Sequence, residues 1–64
     1  MADLYRELAA ELNAAGWRRL RPGKGSHEIW TDRSGSRRVT VPRTTGSRHM
    51  ANEVLKQAGL PKAF

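Results

Sequence analysis

The chain has 64 residues, with twelve lysines and arginines against six acids, two histidines and no cysteine. A chain this short forms one small domain over residues 1–64 that buries only about 60% of the surface its unfolded form exposes, and without cysteine it has neither disulfides nor thiolate zinc sites to reinforce it. Charge is concentrated in the middle: residues 16–48 sum to +7 and the rest to −1, a block that attracts polyanions through phosphate neutralisation and counterion release, although a solvated surface that keeps a small protein soluble is the plainer alternative.

Residues 3–15 place Leu4, Leu8 and Leu12 at i, i+4 and i+8. With Tyr5, Ala9 and Ala15 widening the stripe, this predicts an amphipathic helix. Asp3 stands where an N-cap or first-turn acid belongs, and Gly16 offers the left-handed stop. The same stretch lacks the apolar run of about 7 to 15 residues that a signal peptide needs and is too polar to span a membrane. A cytoplasmic protein without a membrane partner is the expectation.

Trp17–Arg21 alternates apolar and basic residues, but Trp17 and Leu20 fall out of strict register, which predicts a short, bulged strand. Pro22-Gly23 reads as a turn pair, proline presetting the first central dihedral and glycine supplying the positive one of a type II turn. Gly25 adds a second point where the backbone can come close to another group. A second strand is expected over about 26–32, a hairpin turn over Asp32–Gly35, and a third strand over Arg37–Val41, with Val39 and Val41 on one face and Arg38 and Thr40 on the other. Pro42 ends that strand. Residues 43–47 form a loop, and Ser47 caps a helix over 48–58 whose stripe is Met50, Val54, Leu55 and Ala58, closed by Gly59-Leu60-Pro61. Helix, three strands, helix is an α+β chain, αβββα. Neither helices nor sheet can hide their apolar sides alone, so both helices should lie on one face of a three-stranded antiparallel sheet, leaving the other face to solvent or a ligand.

Little of this supports metal or nucleophile chemistry. His27 and Glu28 are strand neighbours that point to opposite faces and cannot share an ion, and the same alternation separates Ser26 from His27; no metal or other cofactor is expected. Gly23-Lys24-Gly25-Ser26 echoes a phosphate loop but lacks its spacing, which leaves exposed amides and Lys24 to cradle one phosphate of a polymer. RNA brings its own nucleophile. A histidine, whose ordinary pKa of about 6.5 allows proton exchange near neutrality, could take the 2′-OH proton while cations stabilise the charge building on phosphorus, an acid–base contribution of about 10² to 10⁴-fold.

Two roles are open to His27 on this basis, the catalytic one and the commoner one of a structural or surface histidine; His49, early in the last helix, reads as exposed. Trp30 is open too, since it could stack a base or anchor the core, and alternation places Ile29 on the face opposite to it without saying which is which. Trp17 reads as core. Three functions follow: a metal-independent endoribonuclease in which Lys24, Arg18, Arg21, Arg38 and Arg43 hold phosphates; a non-catalytic RNA-binding module of the same fold; or an interaction domain for an acidic protein.

In order, the opening helix ending in Ala-Gly-Trp, the Gly-Lys-Gly-Ser-His segment, the Ile-Trp strand, the hairpin into Arg-Arg-Val-Thr-Val-Pro and the closing Val-Leu-Lys-Gln-Ala-Gly-Leu resemble the HicA family of toxins over nearly the whole chain. The resemblance implies a double-stranded-RNA-binding-like αβββα fold. It implies an mRNA interferase, an endoribonuclease that halts translation, neutralised by a cognate HicB-type antitoxin. It also implies that activity depends on the histidine of the Gly-Ser-His motif, here His27, with Gly23 and Gly25 matching the glycines before it. His49 receives no family role, and residues 43–49 depart from the family's more usual proline- and lysine-containing loop.

Overall fold

A computed structural model describes residues 3–64; the first two residues of the expected 1–64 domain lie outside the described residues. The elements are α1 (Tyr5–Ala14), β1 (Arg18–Pro22), β2 (His27–Thr31), β3 (Arg38–Pro42) and α2 (Arg48–Gln57). The strands form one open sheet in the order β1-β2-β3, antiparallel at both junctions. This is the expected αβββα order, with strand limits displaced by a residue.

Each helix is amphipathic for the reason its sequence gives. Leu8 and Leu12 of α1 are buried, while Leu4, Tyr5 and Ala9 pack partly against the core. Ala15, expected on that stripe, is exposed as the residue that caps the helix end. Leu4 takes the N-cap position, and Asp3 acts from one residue earlier, its carboxylate accepting the Tyr5 N–H at 3.1 Å. At the far end Gly16 adopts φ 89°, which lets the Trp17 N–H reach back to the Leu12 carbonyl at 2.9 Å and turns the indole inward. α2 ends in the same way, with Gly59 at φ 76° and the Leu60 N–H on the Leu55 carbonyl at 2.8 Å. Both closures satisfy carbonyls that a helix end leaves free.

The buried face of α2 corrects one expectation. Ala51, Val54, Leu55 and Ala58 face the sheet, whereas Met50 is 38% exposed. Met50 sits one position, about 100°, round the helix from Ala51, and two alanines let the helix lie close to β3. Ser47 is the cap as expected, its hydroxyl accepting the Met50 N–H at 3.2 Å. Trp17, Trp30, Val39 and Val41 complete the core from the sheet side. Trp30 therefore anchors the core, and Ile29 takes the open face.

The hairpin between β2 and β3 closes as the Asp32–Gly35 turn, with the Gly35 N–H on the Asp32 carbonyl at 3.1 Å. The Asp32 carboxylate also accepts from the Ser34 hydroxyl and the Ser36 and Arg37 amides. Arg37 then leaves the hairpin to donate to the Gln57 carbonyl at 3.0 Å, joining a cation to the negative end of α2. Thr45, fully buried, ties the loop after β3 to the start of α1: its hydroxyl bonds to the Pro42 carbonyl, and its own carbonyl accepts the Leu4 N–H at 2.9 Å.

One acid lies on the core side. Glu28 is 3% exposed and accepts from the Tyr5 hydroxyl, from the Trp30 indole at 3.1 Å and from Arg19 at 3.1 Å, with the Arg43 guanidinium 3.8 Å away. Burial alone would raise its carboxyl, but the hydrogen bonds from Tyr5, Trp30 and Arg19 and the charge of Arg19 outweigh it and hold the group below its ordinary 4.5. Burial, reinforced by the hydrogen bond to the Glu28 carboxylate, raises the Tyr5 phenol, which therefore remains a donor at neutral pH. Among the described residues no buried side-chain polar atom lacks a partner.

Removing Glu28 would strand the buried Trp30 donor, at a cost of about 1 to 3 kcal/mol, and break the hydrogen bond of the half-buried Tyr5 phenol, in a chain whose whole stability is on the order of 3 to 10 kcal/mol. Glu28→Ala is therefore expected to lower the thermal midpoint steeply. Because the folded carboxyl lies below 4.5, its contribution is fully present well above that pH and is lost as pH falls through the folded value. Thermal melts across the acid range should show the wild type losing stability there and Glu28→Gln losing less; parallel acid profiles would contradict this role.

Candidate nucleic-acid interface

The segment leading into β2 is a tight turn, but not the one Pro22-Gly23 suggested. The Gly23 N–H donates to the His27 carbonyl at 2.8 Å and the His27 N–H to the Lys24 carbonyl at 3.2 Å, so the reversal is centred on Gly25-Ser26. Gly25 takes the positive dihedral, φ 65°, and Gly23 does not. The two glycines exchange their expected reasons. Gly23 is needed for close approach, because a Cβ there would fall 3.1 Å from the His27 carbonyl oxygen and 3.4 Å from the Ile29 side chain, while around Gly25 there is open space. Beyond β3 the Arg43 N–H donates to the Ser26 carbonyl at 2.9 Å, which holds the turn from its other side.

His27 emerges from this turn as the first residue of β2, exposed, on the sheet face away from the helices. The ladder identifies its neighbours. Pro42 pairs with His27, Thr40 and Arg21 flank Ile29, and Arg38 and Arg18 flank Thr31, and residues paired across a sheet share a face. Arg21 owes its place to an irregularity: the β1–β2 register slips between Arg19 and Arg21, leaving Leu20 as the extra residue of a bulge. Strict alternation would turn Arg21 to the side of Arg19, which reaches Glu28 on the core face. The bulge restores it to the open face beside Arg18, re-aiming a side chain as bulges do.

The remaining residues of interest are placed differently. Lys24 is exposed at the turn. Arg43 stands apart from the open-face arginines, with its guanidinium toward Glu28, though its side chain is 63% exposed. Arg37 is held at the end of α2. His49 belongs to α2, in the layer across the sheet from His27, and with Asn52 and Lys56 lines a hollow of about 340 Å³ that does not include His27. Among the described residues no group of three or more histidine, cysteine or acidic side chains is gathered to hold a metal ion, and no helix is long and apolar enough to cross a membrane. Glu28, to which the sequence by itself assigns no role, carries one signal there: it stands two residues before Trp30 and must share its face.

An open, arginine-bearing sheet face backed by two helices defines a small α+β domain suited to an extended polyanion rather than to a small molecule in a cavity. The family model described as HicA toxin of bacterial toxin-antitoxin matches residues 5–60, and the chain belongs to that family. Membership assigns it to the toxins of toxin–antitoxin pairs, generally endoribonucleases, with RNA as substrate class and a cognate antitoxin as partner. Neither a curated protein nor a solved structure matches the chain.

Alanine at the two glycines should separate their roles. Gly25→Ala is expected to cost about 1 to 2 kcal/mol for a side chain at positive φ while leaving the His27 backbone in place. Gly23→Ala must push the His27 carbonyl away. Amide spectra should therefore shift at His27 and Ile29 more in Gly23→Ala than in Gly25→Ala, and the reverse order would contradict the close-approach role of Gly23.

Proposed function

We propose that residues 1–64 form one unit that cleaves mRNA without a metal ion, with His27 as general base or acid, and that a HicB-type antitoxin neutralises it. The observation that carries this reading is the exposed His27 imidazole on the same sheet face as Arg18, Arg21 and Arg38. The base takes the 2′-OH proton, the 2′-oxygen bonds to phosphorus, and the bond from phosphorus to the 5′-oxygen breaks as that oxygen gains a proton. The products are a 2′,3′-cyclic phosphate and a free 5′-OH. Because RNA supplies the nucleophile, a positioned proton acceptor and cations suffice. Lys24 and the amides between Gly23 and Gly25 meet the scissile phosphate, the three open-face arginines hold its neighbours, and Arg43 adds charge at the β3 edge.

The test is cleavage of RNA by wild type and His27→Ala in EDTA, with the product ends mapped. Wild type should cut with unchanged rate in the chelator and leave cyclic phosphate ends, and folded His27→Ala should lose at least about 10²-fold, the low end of what an acid–base group supplies. Equal cutting by the folded variant would sink the assignment of His27. Salt-sensitive binding by both proteins with the RNA left intact would instead identify a non-catalytic RNA-binding module.

A further inference from the structure

The open face is organised as a track, and its composition states what kind of recognition it can perform. Along β2, alternation puts His27, Ile29 and Thr31 on the side of the sheet away from the helices, exposed, half-buried and buried in turn, each two positions from the next, a step of about 6.7 Å. Cations flank this line at successive steps. Arg21 lies opposite Ile29, and Arg18 and Arg38 lie on either side of Thr31, on strands about 10 Å apart across β2. All three arginines are exposed. Thr31 itself is 1% exposed with its hydroxyl bonded to the Arg37 carbonyl, so that end of the line presents guanidinium groups and no hydroxyl.

Among the described residues this face carries neither an aromatic ring nor a carboxylate. The chain has four aromatic residues, and Tyr5, Trp17, Trp30 and Phe64 all pack with the core on the helix side. Its six acids also lie elsewhere: Asp3, Glu7 and Glu11 at α1, Glu53 on α2, Glu28 buried, and Asp32 in the hairpin. Sheet-based readers of single-stranded RNA hold bases by stacking them on aromatic rings. Here Ile29, Thr40 and Pro42 offer no such platform, whereas Arg21 and the Arg18–Arg38 pair stand at two successive steps of the ladder along β2, where an extended strand can meet them with successive phosphates.

We propose that the open face is a single-stranded RNA track that reads phosphates rather than bases, seating the scissile phosphate at His27, the next phosphate at Arg21 and the one after it between Arg18 and Arg38. This rests on the cleavage reading given above. Single-strandedness follows from the chemistry: the 2′-oxygen must swing in line with the departing 5′-oxygen, which an A-form duplex prevents. The bulge at Leu20 is then a functional device, since it is what brings Arg21 to the middle step.

The test uses short 2′-O-methyl strands containing one ribonucleotide, so that a single bond can be cut and the register is known. One linkage at a time is replaced by an uncharged methylphosphonate, or one base at a time is removed. Neutral linkages one and two steps from the cut on one side should each lower kcat/KM roughly tenfold or more, as loss of a charge-assisted hydrogen bond does, and removal of flanking bases should have little effect. Arg21→Ala should lose its sensitivity to the first linkage only, and Arg18→Ala or Arg38→Ala to the second only, with melting curves confirming the fold. Greater sensitivity to missing bases than to neutral linkages, equal sensitivity on both sides, or equal cutting of a duplex would overturn the track. His27→Ala separates the two layers: if it cuts as well as wild type, the cleavage reading fails, whereas if it is inactive while neutral linkages are tolerated, only the track fails.

Discussion

A carboxylate on the core side of the sheet organises this molecule. Glu28 is buried next to the hydrophobic core, where an isolated charge would be costly, and it is tolerated because three donors from three elements converge on it. Tyr5 ties it to α1, Trp30 to its own strand and Arg19 to the β1 edge. A small core with no disulfide has few ways to fix the orientation of a helix against a sheet. A directional hub of this kind does so, and it gives a partner both to the buried indole nitrogen of Trp30 and to the half-buried phenol of Tyr5.

The same hub divides the cations between the two faces. Arg19 and Arg43 turn toward Glu28, while Arg18, Arg21 and Arg38 are on the opposite side. Two features separate arginines that are neighbours in sequence: the alternation of side chains along β1 and the single extra residue at Leu20. Since His27 immediately precedes Glu28 on β2, burying the acid on one face presents the imidazole on the other. Core and candidate site are thus set by one parity, and a slip of register by a residue would exchange them.

Much of this was legible in the sequence. Leucines at helical spacing, Gly16 and Gly59 after the helices, alternating valines in β3 and the irregular run from Trp17 to Arg21 indicate the αβββα order, whereas His27 is singled out only by the resemblance that its Gly-Ser-His motif carries. Less legible were the features that depend on a partner distant in the chain. Met50 and Ala51 compete for the same stripe, and only the closeness of α2 to β3 favours the alanine. Gly23 and Gly25 both look like turn residues, yet one is required by φ and the other by the nearness of the His27 carbonyl. Thr45 resembles ordinary loop polarity, and Arg37 the first residue of a strand, until the groups they bind are seen.

Local periodicity, turn chemistry and charge are properties of short stretches, so the sequence by itself determined the element order, the basic middle segment and the histidine held at the start of a strand. It could not determine which face of β2 was buried, because alternation is symmetric between two faces until one of them meets the helices. The tertiary structure decided that question by placing Trp30 and Glu28 inward, and with them the whole distribution of exposed charge. His27 stands among arginines on an open sheet because the residue after it is an acid that the core can satisfy.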